Sequence, residues 1–204
     1  MRTIDYGYDT HGGMILVTGF MPFSHHERNI SQELVEHIST AGALDYEVNT
    51  CILTVDENGS REISDRILGG EEIRALLHLG FSENADEILL EKFARNRYQM
   101  EIVDNSGRIE TSGEISSGKP ILETNAPIQI IDSFLEGVSG IRWNEDAGGF
   151  VCNETYYRSL LAATIKKSPI VLFMHLPLEE IIPFDQQFKI ICLVCNAMES
   201  VINL

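Results

Sequence analysis

The sequence predicts an α/β domain with a mainly parallel sheet. Short apolar runs alternate with stretches of helical period along the chain, the pattern of strands joined by crossover helices. Two of the apolar runs stop at a glycine, Gly19 and Gly80, as buried strands running into a turn do. The length of 204 residues suits one domain with a full core, because chains divide at roughly 250 residues. No internal repeat, linker or second domain is visible.

Taken in order, residues 15–18 read as a buried strand ending at Gly19. A helix over about 31–38 follows, with Asn29 or Ser31 as N-cap, side chains whose oxygens accept free N–H groups of a first turn. Residues 46–55 alternate in strand fashion, and Ser60 is expected to cap a short helix reaching Leu68. Residues 73–79 form the next buried strand, stopped by Gly80, and 88–94 another. Asp104-Asn105-Ser106-Gly107 signals a turn. The polar stretch 110–125, holding Gly113, Gly118 and Pro120, reads as a mobile loop. Helices are expected over 128–135 and 152–167, and strands over 141–143 and 170–176. The terminal helix, about 185–202, places Phe188, Ile191, Cys192, Cys195, Met198 and Ile202 on one stripe.

Composition narrows the function. Lys and Arg number 15 against 31 Asp and Glu, a formal net charge of −16. Such a surface repels phosphate backbones and anionic headgroups, so neither nucleic acid nor a membrane is an expected partner. The start of the chain has no apolar stretch behind a basic segment, and the most apolar run, residues 169–177, is far too short to span a bilayer. A cytoplasmic location is the expectation. The four cysteines, Cys51, Cys152, Cys192 and Cys195, are too few for a disulfide scaffold. Reduced thiols are therefore expected, and a lone one is available for catalysis.

Three residues draw attention as chemistry. Cys152 follows Ala147-Gly148-Gly149-Phe150-Val151 and enters a helix at its first turn. Unpaired N–H groups there favour a thiolate and can also hold an oxyanion; position alone equally fits a small buried residue packing a helix start. His175 closes the last apolar strand, at the carboxyl end where sites form in open α/β sheets. A satisfied core histidine is the competing reading. Glu91 shares a face with Leu89 and Phe93 and so points inward, towards either a catalytic partner or a structural cation. Weaker features are set aside. Cys192-x-x-Cys195 lies among apolar helix neighbours and reads as packing, and His25-His26-Glu27 as a solvated polar segment, with no metal expected. Gly19 opens no G-x-G-x-x-G and no phosphate-loop lysine follows it.

Several segments in sequence order then resemble one family. Ile15-Leu16-Val17-Thr18-Gly19-Phe20-Met21-Pro22-Phe23 is similar to an opening strand with a T-G-F-x-P-F loop, and Asn29-Ile30-Ser31 to N-P-S or N-P-T. His78-Leu79-Gly80 resembles H-V-G, Glu91-Lys92-Phe93-Ala94-Arg95-Asn96 resembles E-R-x-A-x-N, and Val103-Asp104-Asn105-Ser106-Gly107 resembles P-D-N-x-G. Ala147-Gly148-Gly149-Phe150-Val151-Cys152-Asn153 is similar to A-G-x-Y/F-L/V-C-N, and Met174-His175-Leu176-Pro177 to I-H-V-P. These are the motifs of the pyroglutamyl peptidase I (pyrrolidone-carboxylate peptidase) family. The order Glu, Cys, His and its spacings, 152 − 91 = 61 and 175 − 152 = 23 residues, resemble the family's.

The resemblance implies a single-domain α/β/α sandwich of the phosphorylase/hydrolase type with a twisted mixed, mainly parallel sheet over residues 14–204, preceded by an extension over 1–13. It implies removal of N-terminal pyroglutamate from peptides by thiolate acyl transfer, with no cofactor, in a homodimer or homotetramer. Cys152 would be the nucleophile, His175 its base and Glu91 the group orienting the imidazole. Phe20 and Phe23 would sandwich the flat lactam and Asn29 would brace their loop, with Phe81, Ile102, Phe150 and Val151 completing the substrate pocket. Two departures stand out. Glu101 occupies the position of an arginine that in the family helps hold the oxyanion, with Arg95 and Arg97 the nearest substitutes, and Ser24-His25-His26 replaces a glycine pair. They leave room for two other readings: a related amidase using Glu101 to meet a cationic substrate, or a catalytically impaired binding protein.

Overall fold

The computed structural model describes residues 15–202; the extension expected over 1–13 lies outside them. The strands are β1 (Ile15–Phe20), β2 (Val48–Leu53), β3 (Ala75–Phe81), β4 (Ile88–Glu91), β5 (Phe93–Arg95), β6 (Ile121–Glu123), β7 (Ile141–Asn144) and β8 (Ile170–Leu176). The helices are α1 (Ile30–Ala41), α2 (Glu57–Leu68), α3 (Ile128–Phe134), α4 (Val151–Lys166) and α5 (Phe184–Ile202). A six-stranded sheet has the order β2-β1-β3-β8-β4-β7. Its strands pair in parallel except where β4 meets β8, so the sheet is mixed and mainly parallel. No helix of the described residues is long and apolar enough to cross a membrane.

The period of two assigns the strand residues to two cores. Ile15, Val17, Leu77, Leu79, Leu172, Met174 and Leu176 pack with α1, α3 and α5. Leu16, Leu76, Val171 and Phe173 face the other way, towards α2 and α4. Helices on both faces of one sheet make the expected α/β/α sandwich. Gly19 serves this packing rather than a phosphate: a Cβ there would come within 2.4 Å of the Ser31 carbonyl oxygen in α1.

Several elements differ from expectation for visible reasons. The apolar run 88–94 breaks at Lys92, whose N–H still bonds Asn144 of β7 while its carbonyl accepts from Thr124. Beyond it β5 pairs with β6 in a separate two-stranded sheet; the expected loop 110–125 therefore supplies a strand. Gly80 does not end β3, which runs on to Phe81. Helix α2 starts before Ser60, because Asp56 caps it by accepting from Gly59 N at 2.9 Å, and the Ser60 hydroxyl instead donates to Glu57 O. On α5 the buried side is Gln187, Ile190, Ile191, Val194, Cys195 and Met198, while Phe188 and Cys192 are only half-buried. Gln187 counts as polar in a sequence pattern, yet its amide donates to the carbonyls of Pro177 and Ile182 and so tolerates burial.

Candidate active site

Cys152 sits in the first turn of α4, and the N-cap residue Phe150 supplies no side-chain acceptor to that turn. The N–H groups opening the helix are thus left to whatever lies in front of them. Gly80 makes room for the sulfur: a Cβ at that position would meet Cys152 Sγ at 3.1 Å and the Phe173 ring at 2.7 Å. In register, Gly80 stands beside His175 of β8, and β4 brings Leu89 to the other side of that histidine. Three separate chain segments therefore meet at one point of the sheet.

His175 Nδ1 donates to Glu91 Oε1 at 2.7 Å. Cys152 is close enough to act on the imidazole, and with Nδ1 committed to the carboxylate the other ring nitrogen is the one left for the sulfur. Burial pulls the imidazole pKa down, but the hydrogen bonds and negative charge of Cys152 and Glu91 outweigh it and raise the value well above the ordinary 6.5. The arrangement favours a protonated imidazole at neutral pH. Glu91 is fully buried and held from three sides. Its second carboxylate oxygen accepts from Asn144 Nδ2 at 2.9 Å, and its backbone carbonyl accepts from the Tyr156 hydroxyl at 2.8 Å. Neither Asn144 nor Tyr156 carries a sequence signal, since their value depends on which strand and helix lie beside β4.

A cavity of about 220 Å³ opens over this trio. Of the residues singled out from sequence, Phe20, Phe23, Asn29, Phe81, Glu91, Phe150, Cys152 and His175 line it. Val151 is fully buried in the core beneath the helix, and Ile102 is 43% exposed; neither is on the cavity wall. Phe23 packs against Phe150 with ring centroids 5.7 Å apart. Asn29 both caps α1, accepting from Ser31 N, and donates to the Met21 carbonyl at 3.0 Å, so it fixes the loop that carries Phe23. A second tether comes from the turn at 104–107, where Asn105 Nδ2 donates to the Pro22 carbonyl at 2.9 Å. That turn is itself bound to α4 through Arg108, which bridges Asp104 and the buried Glu154. Burial would raise the Glu154 carboxyl, but hydrogen bonds from Arg108 and Arg158 hold it below its usual range.

Glu101 is exposed and absent from the cavity wall, so its carboxylate does not face the thiol. Arg95 and Arg97 are engaged elsewhere. Both reach Asp146 Oδ2, at 3.0 and 3.1 Å, and it is Asp146 that lines the cavity. The sequence reading missed Asp146, which nothing in its polar surroundings distinguishes.

A buried carboxylate, an imidazole and a thiol in series beside a small aromatic cavity, all on an α/β/α sandwich, are the features of a thiol-dependent hydrolase. Comparison with known proteins narrows this: residues 13–191 match the pyroglutamyl peptidase family profile, and the chain belongs to that family. Pyrrolidone-carboxylate peptidase 1 of Ralstonia nicotianae is 30% identical over 70% of this chain and 67% of that protein. The pyrrolidone-carboxylate peptidase of Oceanobacillus iheyensis is 29% identical over 80% of this chain and 83% of its own length. Among solved structures, the pyrrolidone carboxyl peptidase of Fervidobacterium islandicum superposes with a TM-score of 0.84 at 27% identity, covering 92% of this chain and 99% of that one. The Thermus thermophilus enzyme gives 0.75 at 28% identity, covering 89% and 98%.

Proposed function

We propose that this chain releases N-terminal pyroglutamate from peptides, with Cys152 as nucleophile, His175 as proton carrier and Glu91 as the group that orients the imidazole. The observation that carries the reading is the gathering of Glu91, His175 and Cys152, with Glu91 hydrogen-bonded to His175, on the wall of a cavity of about 220 Å³. Such a space takes one small ring, and four phenylalanines on its wall, Phe20, Phe23, Phe81 and Phe150, suit the two faces of a neutral lactam.

The Cys152 thiolate attacks the pyroglutamyl carbonyl carbon, and the carbonyl electrons move to oxygen. Free N–H groups at the start of α4 are the donors placed for that oxyanion, a role that does not need a guanidinium at position 101. As the C–N bond breaks, the imidazolium of His175 gives its proton to the leaving amine. The neutral imidazole then takes a proton from water, which attacks the thioester and frees pyroglutamate and the thiolate. Glu91 keeps Nδ1 protonated throughout and, with Asn144 holding its other oxygen, cannot swing away. The proposal places the enzyme in a reducing cytoplasm, which keeps the thiol available, and includes self-assembly into two or four copies.

Hydrolysis of pyroglutamyl-aminomethylcoumarin by the purified chain, measured beside Cys152→Ala, tests this. Turnover by the wild type and none above background by the variant is expected; equal rates would remove the assignment.

A further inference from the structure

The loop that carries Phe23 continues into a turn whose Ser24 has a positive φ of 56°. This turn sets His25 and His26 side by side, ring centroids 4.1 Å apart. Across from them, the residues after β3 are pinned in a turn of their own. Ser82 N donates to the Leu176 carbonyl and Ala85 N to the Ser82 carbonyl, which fixes the backbone on both sides of Glu83. The donor atoms of His25, His26 and Glu83 all lie within 4.8 Å of one another.

We propose that His25, His26 and Glu83 bind a divalent transition-metal ion of the zinc class, and that the ion clamps the aromatic loop to the end of β3. Two imidazoles and a carboxylate are a known zinc donor set, with a water completing four-coordination. Glu83 Oε2 lies 3.9 Å from His26 Nε2, too far for a hydrogen bond and a distance that two bonds of roughly 2.0–2.2 Å to a common ion span. His25 and Glu83 are exposed, so small rotations close the set. Ser24 Oγ, 3.3 Å from His25 Nδ1, restrains that ring in the manner of an outer-shell partner. A formal charge of −16 on the chain draws cations to its surface.

The location gives the site its consequence. His26 packs against Phe23 at 5.6 Å and edge-on to Phe81 at 5.0 Å, and both rings line the cavity. An ion on His26 therefore joins the two lips of the cavity through groups that already touch its wall. The sequence paired these histidines with Glu27; the fold supplies Glu83 instead, from a different segment.

The test uses the full chain in a Cys152→Ala background, which removes the thiol as a competing ligand and makes the result independent of the proposed peptidase activity. Calorimetric titration with Zn2+ should show one ion per chain. His25→Ala and Glu83→Gln, both at exposed positions, should each weaken binding about tenfold or more, while His37→Ala leaves it unchanged. Hydrogen exchange of the amides of residues 24–26 and 82–85 should slow when Zn2+ is added. No binding, or binding that survives both substitutions, overturns the site. An ion bound without added protection overturns the clamp.

Discussion

Two histidines occupy neighbouring strands of the central sheet and meet opposite fates. His78 of β3 stands in register with Phe173, two residues before the Gly80–His175 pair, and the Phe173 ring touches both imidazoles. Both side chains are buried. Among the described residues the hydrogen-bond partners of His78 are hydroxyls, Thr18 Oγ1 at 2.7 Å and Ser159 Oγ at 3.0 Å, and burial drives its pKa down to about 3. His175 suffers the same burial but faces a carboxylate and a thiol, and its pKa moves up. Burial alone makes a histidine a neutral bracket between strand and helix. Anionic partners turn it into a proton store, and the cavity supplies the place to use it.

The largest effect on this contrast comes from His175→Gln, which should lower turnover of a pyroglutamyl amide about a thousandfold or more; loss under tenfold would show that the ring carries no proton. Glu91→Gln ranks next, at about a hundredfold or more in kcat with KM little changed, because the imidazole loses its orienting charge. His78→Ala should instead cost stability, about 2–4 kcal/mol in urea unfolding, by opening a void and stranding the Thr18 and Ser159 hydroxyls. Turnover per folded molecule should suffer less there than in Glu91→Gln.

The pH dependence separates the pair further. The His78 pKa is depressed, so below its unfolded-state value of 6.5 the unfolded chain takes up the proton first. Stability should then fall as pH drops from 6.5 towards 3, by about 1.4 kcal/mol per unit from this residue. The His175 pKa is raised to about 10, so its contribution is complete below 6.5 and disappears as pH climbs through 10. Imidazole proton NMR should find His78 silent through neutral pH, and Cys152→Ala should bring the His175 midpoint down. The smallest effect is expected at Glu101→Arg. A guanidinium on that exposed position does not reach the oxyanion, and turnover should stay within about twofold; a tenfold gain would show that residue 101 faces the reacting carbonyl.

Parts of this contrast were legible without coordinates. His175 and Cys152 stood out because one interrupts an apolar strand and the other opens a helix, local features that residue order records. Glu91 was legible as inward-facing from the alternation around it. Asn144, Tyr156 and Asp146 were not, since each matters only through a partner 53, 65 or about 50 residues away in the chain. Ile102 and Val151 show the converse limit: adjacency to motif residues did not put them on the cavity wall.

The sequence by itself determined an α/β domain with a mainly parallel sheet, because hydrophobic period depends on nearest neighbours along the chain and decides which faces must be covered. It also determined the candidate nucleophile, base and carboxylate by type and order. Only the tertiary structure decided that β4 runs antiparallel against β8, that Gly80 leaves space for the sulfur, and that one buried histidine has its pKa raised while its neighbour has it lowered. Protonation is set by what stands within a few ångströms, and strand pairing brings together residues whose separation along the chain carries no record of that contact.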